Sequence, residues 1–443
     1  MRTPIADFVQ AYAAQSMARF HMPGHKGRAF LGCEQLDITE VAGADALYEA
    51  AGIIAESEQN ATALFGTARS CFSTEGSSQC IRAMLYLLRS ELPSGSAPLI
   101  LAARNVHKAF VYAAALLDLQ VQWLWPEESS SLCSCPISPE QLEAQLWELP
   151  APPAGVYLTS PDYLGGLADI PALAEVCRKY GTRLAVDNAH GAYLHFLQPS
   201  LHPMDLGADL CCDSAHKTLP VLTGGAYLHI SRNAPASFAE NAKQALALFG
   251  STSPSYLIMS SLDLCNRYLA EFYPERLAEA VCRIDALKAE LREAGWQLRP
   301  SDPLRLSIAA PMGSSGQKLA EQLRAASVAC EYADAEHLVL MFTPENSPED
   351  LQRLLAALGK NQLPPAVAEE LPQARGEQLC SIREAIFSPH ELIPAARSLG
   401  RVCGAPMVSC PPAIPIVVSG EVITEDAIRL FAHYGVEMVD VLK

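Results

Sequence analysis

From about position 59 the chain alternates short, almost wholly apolar runs with stretches in which apolar residues recur every three or four positions. The apolar runs at 97–102, 119–125, 155–160, 182–187, 207–213 and 225–230 predict short buried strands. Between several of them, helical spacing at 138–149 and 171–180 predicts crossover helices, the second with Pro171 in its first turn. Another helix is predicted over 79–90. Strand, helix and strand repeated in this way imply right-handed crossovers: an α/β protein with a mostly parallel sheet and helices on both faces.

The flanks read differently. Residues 4–18 predict a short helix that runs into the turn-rich stretch 21–27. Beyond Pro254, two long helical patterns at 255–271 and 275–295 precede strands at 304–310 and 336–342 and a helix at 347–359, a smaller α+β unit. The Pro- and Ala-rich segment 361–375 reads as a connection, and helices are expected at 389–399 and 424–435. The chain thus divides into an amino-terminal arm (1–58), a large domain (59–272), a small α+β domain (273–360), a linker (361–375) and a carboxy-terminal domain (376–443). A length of 443 residues is ample for two or three domains.

Charge narrows the function. Asp and Glu number 49 against 32 Lys and Arg, a net charge of −17. That excludes the basic footprint a nucleic-acid binder needs to neutralise phosphates. It favours the approach of cationic small molecules, although plain solubility is the simpler reading of the same number. The fourteen cysteines lie mostly singly in apolar runs, as at Cys71, Cys80, Cys177 and Cys265. No C-x-x-C occurs, and neither Cys133-Ser-Cys135 nor Cys211-Cys212 has zinc-ligand spacing. Reduced core thiols, no metal and a cytoplasmic location are the expectation. No apolar stretch reaches the ~18 residues of a membrane helix.

In a doubly wound sheet, ligands sit beyond the carboxyl ends of the strands, so the polar residues there are the candidates. Gly76, Ser77 and Ser78 open the 79–90 helix and offer N–H groups, hydroxyls and the positive end of a dipole to an anion; taken alone, a serine before a helix is more often a simple N-cap. Asp187 ends the strand 182–187 and could hold a protonated ring nitrogen, with His190 a turn later; a loop-capping Asp and a surface His are the alternative. Lys217 follows the strand 207–213 in a stretch poor in charge, where burial would lower its amine pKa and make it a nucleophile toward carbonyls, unless it snorkels from the strand end. His107, after the strand 97–102, could stack on a flat ligand or be a loop histidine. An anion cradle, a planar stacker, a strand-tip carboxylate and a lysine together fit one ligand, pyridoxal 5'-phosphate. Its phosphate would lie on 76–78, its ring under His107, its nitrogen on Asp187 and its aldehyde on Lys217.

The stretches FHMPGHKG (20–27), RNVHKA (104–109), SPDYLGGLADI (160–170), VDNAHGAYLHF (186–196), DSAHKTLPVLTGGAYLHI (213–230), STSPSYLIMSSLD (251–263) and PPAIPIVVSGE (411–421) carry a resemblance. The chain resembles the bacterial ornithine/lysine/arginine decarboxylases of fold type I, the aspartate-aminotransferase fold, and within them the short forms that lack an amino-terminal wing domain. The resemblance implies decarboxylation of a basic amino acid in polyamine metabolism, with Lys217 linked to the cofactor, Ser214 and His216 on its phosphate, and His190 near its ring hydroxyl. It also implies a homodimer or higher homo-oligomer with active sites at the interface, Thr252 near the cofactor or substrate there, and Glu421 as partner of the substrate's distal cation. Several positions depart from the family pattern: Glu75 in the phosphate loop, Asn188 and Tyr193 in the Asp-Glu-Ala-His-Gly-Ala-His run, and Cys410, Ala413 and Ser419 in the carboxy-terminal signature. An aminotransferase or lyase on the same fold would use the same Lys217 and Asp187, and a cofactor-binding paralogue without turnover would accommodate the departures.

Overall fold

The computed structural model describes the chain apart from residues 93–97, 128–130, 363, 365–370 and 410–412, and for 407–409 it describes the backbone alone. Part of the expected linker and Cys410 therefore lie outside the described residues. The principal sheet has seven strands, β1 (Arg69–Ser73), β2 (Leu99–Ala103), β3 (Gln120–Leu124), β4 (Gly155–Thr159), β5 (Leu184–Asp187), β6 (Leu210–Asp213) and β7 (Ala226–Ile230), in the order β1-β7-β6-β5-β4-β2-β3. It is mostly parallel, as the sequence implies; β7 is antiparallel to β6 and to β1. Six of the seven coincide with the apolar runs. The seventh, β1, carries Arg69 and two serines and gives no such run.

The chain forms two compact units, the first comprising Met1–Glu91 and Arg183–Leu277, the second Leu92–Thr182 and Ala278–Lys443. In the first, the helix Ser77–Ser90 packs on β6 and β7 and against the helix Ala236–Ala247. Its buried face of Cys80, Ile81, Met84, Leu85 and Leu88 repeats at helical spacing, which drives that face onto the sheet. The helices Pro4–Ala14, Ile53–Leu64 and Tyr256–Glu271 pack together, and the latter two lie against β1.

In the second unit, parallel strands β4, β2 and β3 are followed by a four-stranded antiparallel sheet of β8 (Leu298–Arg299), β9 (Arg305–Ala309), β10 (Tyr332–Ala333) and β11 (His337–Met341), in the order β10-β11-β9-β8. The helix Pro348–Leu358 starts at a capping box, with Ser347 and Asp350 each accepting from the other's backbone N–H. Two strand pairs follow, β12 (His390–Pro394) with β15 (Met438–Leu442) and β13 (Met407–Ser409) with β14 (Ile414–Val417). The helix expected at 389–399 is thus a strand and a short 3-10 turn, Ala395–Arg397. Pro394 has no N–H for a helix and closes the run, while β15 supplies the pairing that local spacing cannot reveal. Among the described residues, no helix is long and apolar enough to cross a membrane.

Candidate active site

The first unit gathers most of the predicted site residues at the carboxyl ends of β5 and β6 and at the turn after β1. Asp187 is the last residue of β5 and is buried; it accepts from the Ala189 N–H at 3.2 Å, and the Cys212 thiol donates to it at 3.6 Å. The next residues turn sharply: the Gly191 N–H donates to the Asn188 carbonyl at 2.8 Å, and a Cβ at Gly191 would lie 2.0 Å from Asn188 Oδ1. That turn brings His190 back toward the strand ends. His190 Nε2 stands 3.0 Å from Lys217 Nζ.

Lys217 sits in a single helical turn, Ala215–Thr218, directly after β6. The expectation of a buried lysine is not met, because its side chain is exposed. The apolar run after it, which suggested burial, folds away into β7, whose residues are wholly buried, and leaves the lysine at the open strand tips. Ser214 is buried and donates to the Ser77 hydroxyl at 2.7 Å, tying the lysine turn to the start of the Ser77–Ser90 helix. Gly76 caps that helix at φ 71°, a conformation glycine adopts without strain.

The donor set at this helix start suits a phosphate. Helix geometry leaves the N–H groups of Ser77 and Ser78 without intrahelical acceptors, and the hydroxyls of Ser77 and Ser214 stand beside them. His216 lies over the same place, its Cε1 4.0 Å from where a Gly76 Cβ would be. Its Nδ1–H donates to the Gly225 carbonyl at 3.0 Å. Burial lowers the His216 pKa from 6.5, the Gly225 bond works against that, and nearby Lys217 lowers it further. Glu75, the departure that would place a carboxylate beside a dianion, instead accepts from the Ser251 N–H. Thr252 is exposed in the segment this contact anchors. The residues present therefore fit pyridoxal phosphate: a polar cradle for its phosphate, a buried carboxylate and an accessible amine, all at one end of the sheet.

In the second unit, His107 caps the helix Lys108–Leu117, its Nδ1 accepting from the Ala109 N–H at 3.1 Å. Glu421 is buried, and its carboxylate accepts from Arg104 at 3.3 Å and from the Val418 N–H at 2.7 Å. Burial raises its pKa, and Arg104 offsets part of that rise. Arg104 also donates to the carbonyls of Pro415 and Ile416 and lies over the rings of Trp123 and Trp125 at 5.0 and 5.2 Å. The charge of Glu421 is thus met within the chain, and a substrate cation there would compete with Arg104. Tyr193 is buried in the short 3-10 turn Ala192–Phe196.

One group escaped the sequence reading. Asp213, the residue before Ser214, is fully buried and gathers donors from Asn188, His202, His229 and Cys211. Its place directly before the S-x-H-K stretch was the signal available.

Comparison with known proteins gives the family and the fold. Residues 3–310 match the family model described as Orn/Lys/Arg decarboxylase, major domain. The chain is 29% identical to an uncharacterised protein, YaaO, of Bacillus subtilis (strain 168), covering 97% of this chain and 93% of that one. It is 27% identical to an arginine decarboxylase of the same organism, covering 96% and 92%. Among solved structures, the E. coli constitutive lysine decarboxylase superposes with a TM-score of 0.79 at 17% identity, covering all of this chain and 82% of the other. The Francisella novicida lysine decarboxylase gives 0.81 at 16% identity, covering all of this chain and 81% of its own. These structures share the fold, and the family model covers well over half of the sequence: the chain belongs to the Orn/Lys/Arg decarboxylase family.

Proposed function

We propose that this chain holds pyridoxal 5'-phosphate on Lys217 and removes the α-carboxyl group of arginine, lysine or ornithine, releasing carbon dioxide and the amine. The observation that carries this reading is the convergence of Lys217, Asp187 and the anion-accepting start of the Ser77–Ser90 helix at the carboxyl ends of β6, β5 and β1 in one compact unit, with Ser214 bonded to Ser77. When bound, the cofactor supplies an electron sink for the charge left at Cα as the carboxyl group departs.

The protein's residues supply the rest. Asp187, ionised, would keep a proton on the ring nitrogen, and that charge is what lets the ring accept electrons. Gly76, Ser77, Ser78, Ser214 and His216 would hold the phosphate, and His107 would offer a flat face to the ring. His190 is within hydrogen-bonding reach of the Lys217 amine and can orient it or exchange a proton with it. Thr252 and Glu421 are carried as substrate contacts, Glu421 in competition with Arg104. Basic substrates are supported by the arginine decarboxylase named among the relatives. A homodimer with its active sites at the interface, a cytoplasmic location, a role in making polyamines and the five-segment domain plan belong to the same proposal.

Borohydride reduction followed by peptide mapping tests the covalent link: a pyridoxyl adduct is expected on Lys217. Incubation with arginine, lysine and ornithine should then release carbon dioxide without keto acid, and Lys217→Ala should abolish turnover. An adduct elsewhere, or keto acid in place of carbon dioxide, overturns the reading.

A further inference from the structure

Asp213 ends β6 and Asn188 follows the last residue of β5, so the two residues sit beside the chain segments that carry Lys217 and Asp187. Both are wholly buried. The Asn188 amide donates to Asp213 Oδ1 at 2.6 Å, and the Asn188 N–H extends the ladder between the strands by donating to the Cys212 carbonyl at 3.0 Å. The other oxygen, Asp213 Oδ2, lies 3.0 Å from His202 Nε2 and 3.1 Å from His229 Nε2.

The proton positions follow from the outer partners. His202 Nδ1 accepts from the Met204 N–H at 3.3 Å, so its proton is on Nε2 and points at Asp213. His229 Nδ1 meets the Ser70 hydroxyl at 2.8 Å, and that hydroxyl meets Thr67 at 2.7 Å. A neutral His229 with its proton on Nε2 satisfies the whole row, each hydroxyl donating one step along it. Asp213 is then an ionised carboxylate held by N–H dipoles in a site without solvent. Burial pushes its pKa up, and the two histidines outweigh that and hold it well below the usual carboxylate range. A cation coordinated by His202, Cys211 and Asp213, which approach one another closely, would have to displace the Nε2 proton that Asp213 accepts.

Position 188 must therefore donate. A carboxylate there, such as the family pattern carries, would face a second buried carboxylate at hydrogen-bonding distance. We infer that Asn188 and Asp213 form a positioning pair, in which an acid on one strand tip and an amide on the next keep Asp187 in register with the Lys217 turn. Neither residue touches the reacting atoms. The pair acts through Asp187 and Ser214, its chain neighbours, and the role rests on the proposed cofactor site.

Swapping the pair tests it. Asn188→Asp, Asp213→Asn and the double swap are compared as holoenzymes by cofactor dissociation, visible spectrum and thermal unfolding. The double swap restores one carboxylate and one amide: the amide introduced at position 213 can accept from both histidines through its oxygen and donate through its nitrogen to the carboxylate introduced at position 188. Asn188→Asp should weaken cofactor binding roughly tenfold or more, and the double swap, whose carboxylate at position 188 keeps one donor but not the two imidazoles, should recover part of that loss, the non-additivity expected of residues in direct contact. A double swap that binds cofactor no better than Asn188→Asp overturns the inference, as does one that recovers thermal stability but not cofactor affinity. If Asn188→Asp does not fold, Asn188→Ala, which removes the donor and adds no charge, is read in its place; cofactor affinity equal to the parent's then overturns the pair. Failure of the parent protein to form the Lys217 adduct would sink the proposed function instead, and the two failures are told apart by that control.

Discussion

His216 shows what a single proton can decide in this site. Its Nδ1–H is committed to the Gly225 carbonyl, and its pKa is lowered, so at neutral pH the imidazole turns a bare Nε2 outward. A bare nitrogen accepts hydrogen bonds, and a phosphate dianion has only acceptors to offer. If His216 is to hold the phosphate, it must take up a proton as the cofactor binds. Net proton uptake is therefore expected on cofactor binding at pH 8, fading below the imidazole's own pKa. His216→Gln, whose amide donates without titrating, should take up less. Calorimetry in two buffers of different ionisation heat measures the difference, and equal uptake by both proteins would show that His216 does not hold the phosphate. The legible signals in this site are local: a polar tip directly after an apolar strand pointed to Asp187 and Lys217, and the family resemblance added Ser214 and His216. Asp213 and its partners were not legible, because their contacts join residues 11, 16 and 25 positions apart on different elements. The exposure of Lys217 escaped for a related reason, since the apolar residues after it bury themselves in β7 and not the lysine.

At the scale of elements, the amino-terminal helix Pro4–Ala14 is capped from a distance. Thr3 makes no side-chain cap; the N–H groups of Ile5 and Ala6 donate instead to Asp263 of the helix Tyr256–Glu271, at 2.9 and 3.0 Å, and the Ser57 hydroxyl donates to its other oxygen at 2.5 Å. Burial outweighs these bonds and raises the Asp263 pKa from 3.8 to about 6. With the folded value above the unfolded one, the protonated group's contribution to stability is complete below pH 3.8 and is lost as pH rises through about 6. The loss amounts to about 3 kcal/mol at neutral pH. Asp263→Asn keeps the acceptor for both N–H groups and can donate to Ser57, so it should be more stable than the parent at pH 7 and the gain should vanish toward pH 4. Unfolding in denaturant across that range measures it; a constant difference would refute the shifted titration. The same scale shows where sequence patterns stop. Apolar runs located β2 to β7 to within a few residues, because burial on both faces of a parallel sheet makes a strand apolar throughout. They missed β1, whose serines are buried but hydrogen-bonded, and they mistook β12 for a helix, because its pairing partner lies nearly fifty residues further on.

The molecule as a whole carries 49 acidic residues against 32 basic ones. As a member of the decarboxylase family, it is an enzyme that acts on a small, freely diffusing amino acid. The proposed substrates, basic amino acids, carry a net positive charge, and a protein with a net charge of −17 would draw them in before any specific contact forms. Such steering operates over the Debye length, about 30 Å at 0.01 M salt and about 10 Å at 0.1 M, so it weakens steeply across that interval. For arginine or lysine, kcat/KM should therefore fall as salt rises from 0.01 to 0.1 M, while kcat, which is read with the substrate already bound, should hold. A substrate analogue whose distal group is neutral isolates the cause, because its kcat/KM should be nearly flat over the same range. An equal fall for the charged substrate and the neutral analogue would assign the salt effect to the fold or the cofactor site. A flat response for both would leave the acidic surface with solubility alone.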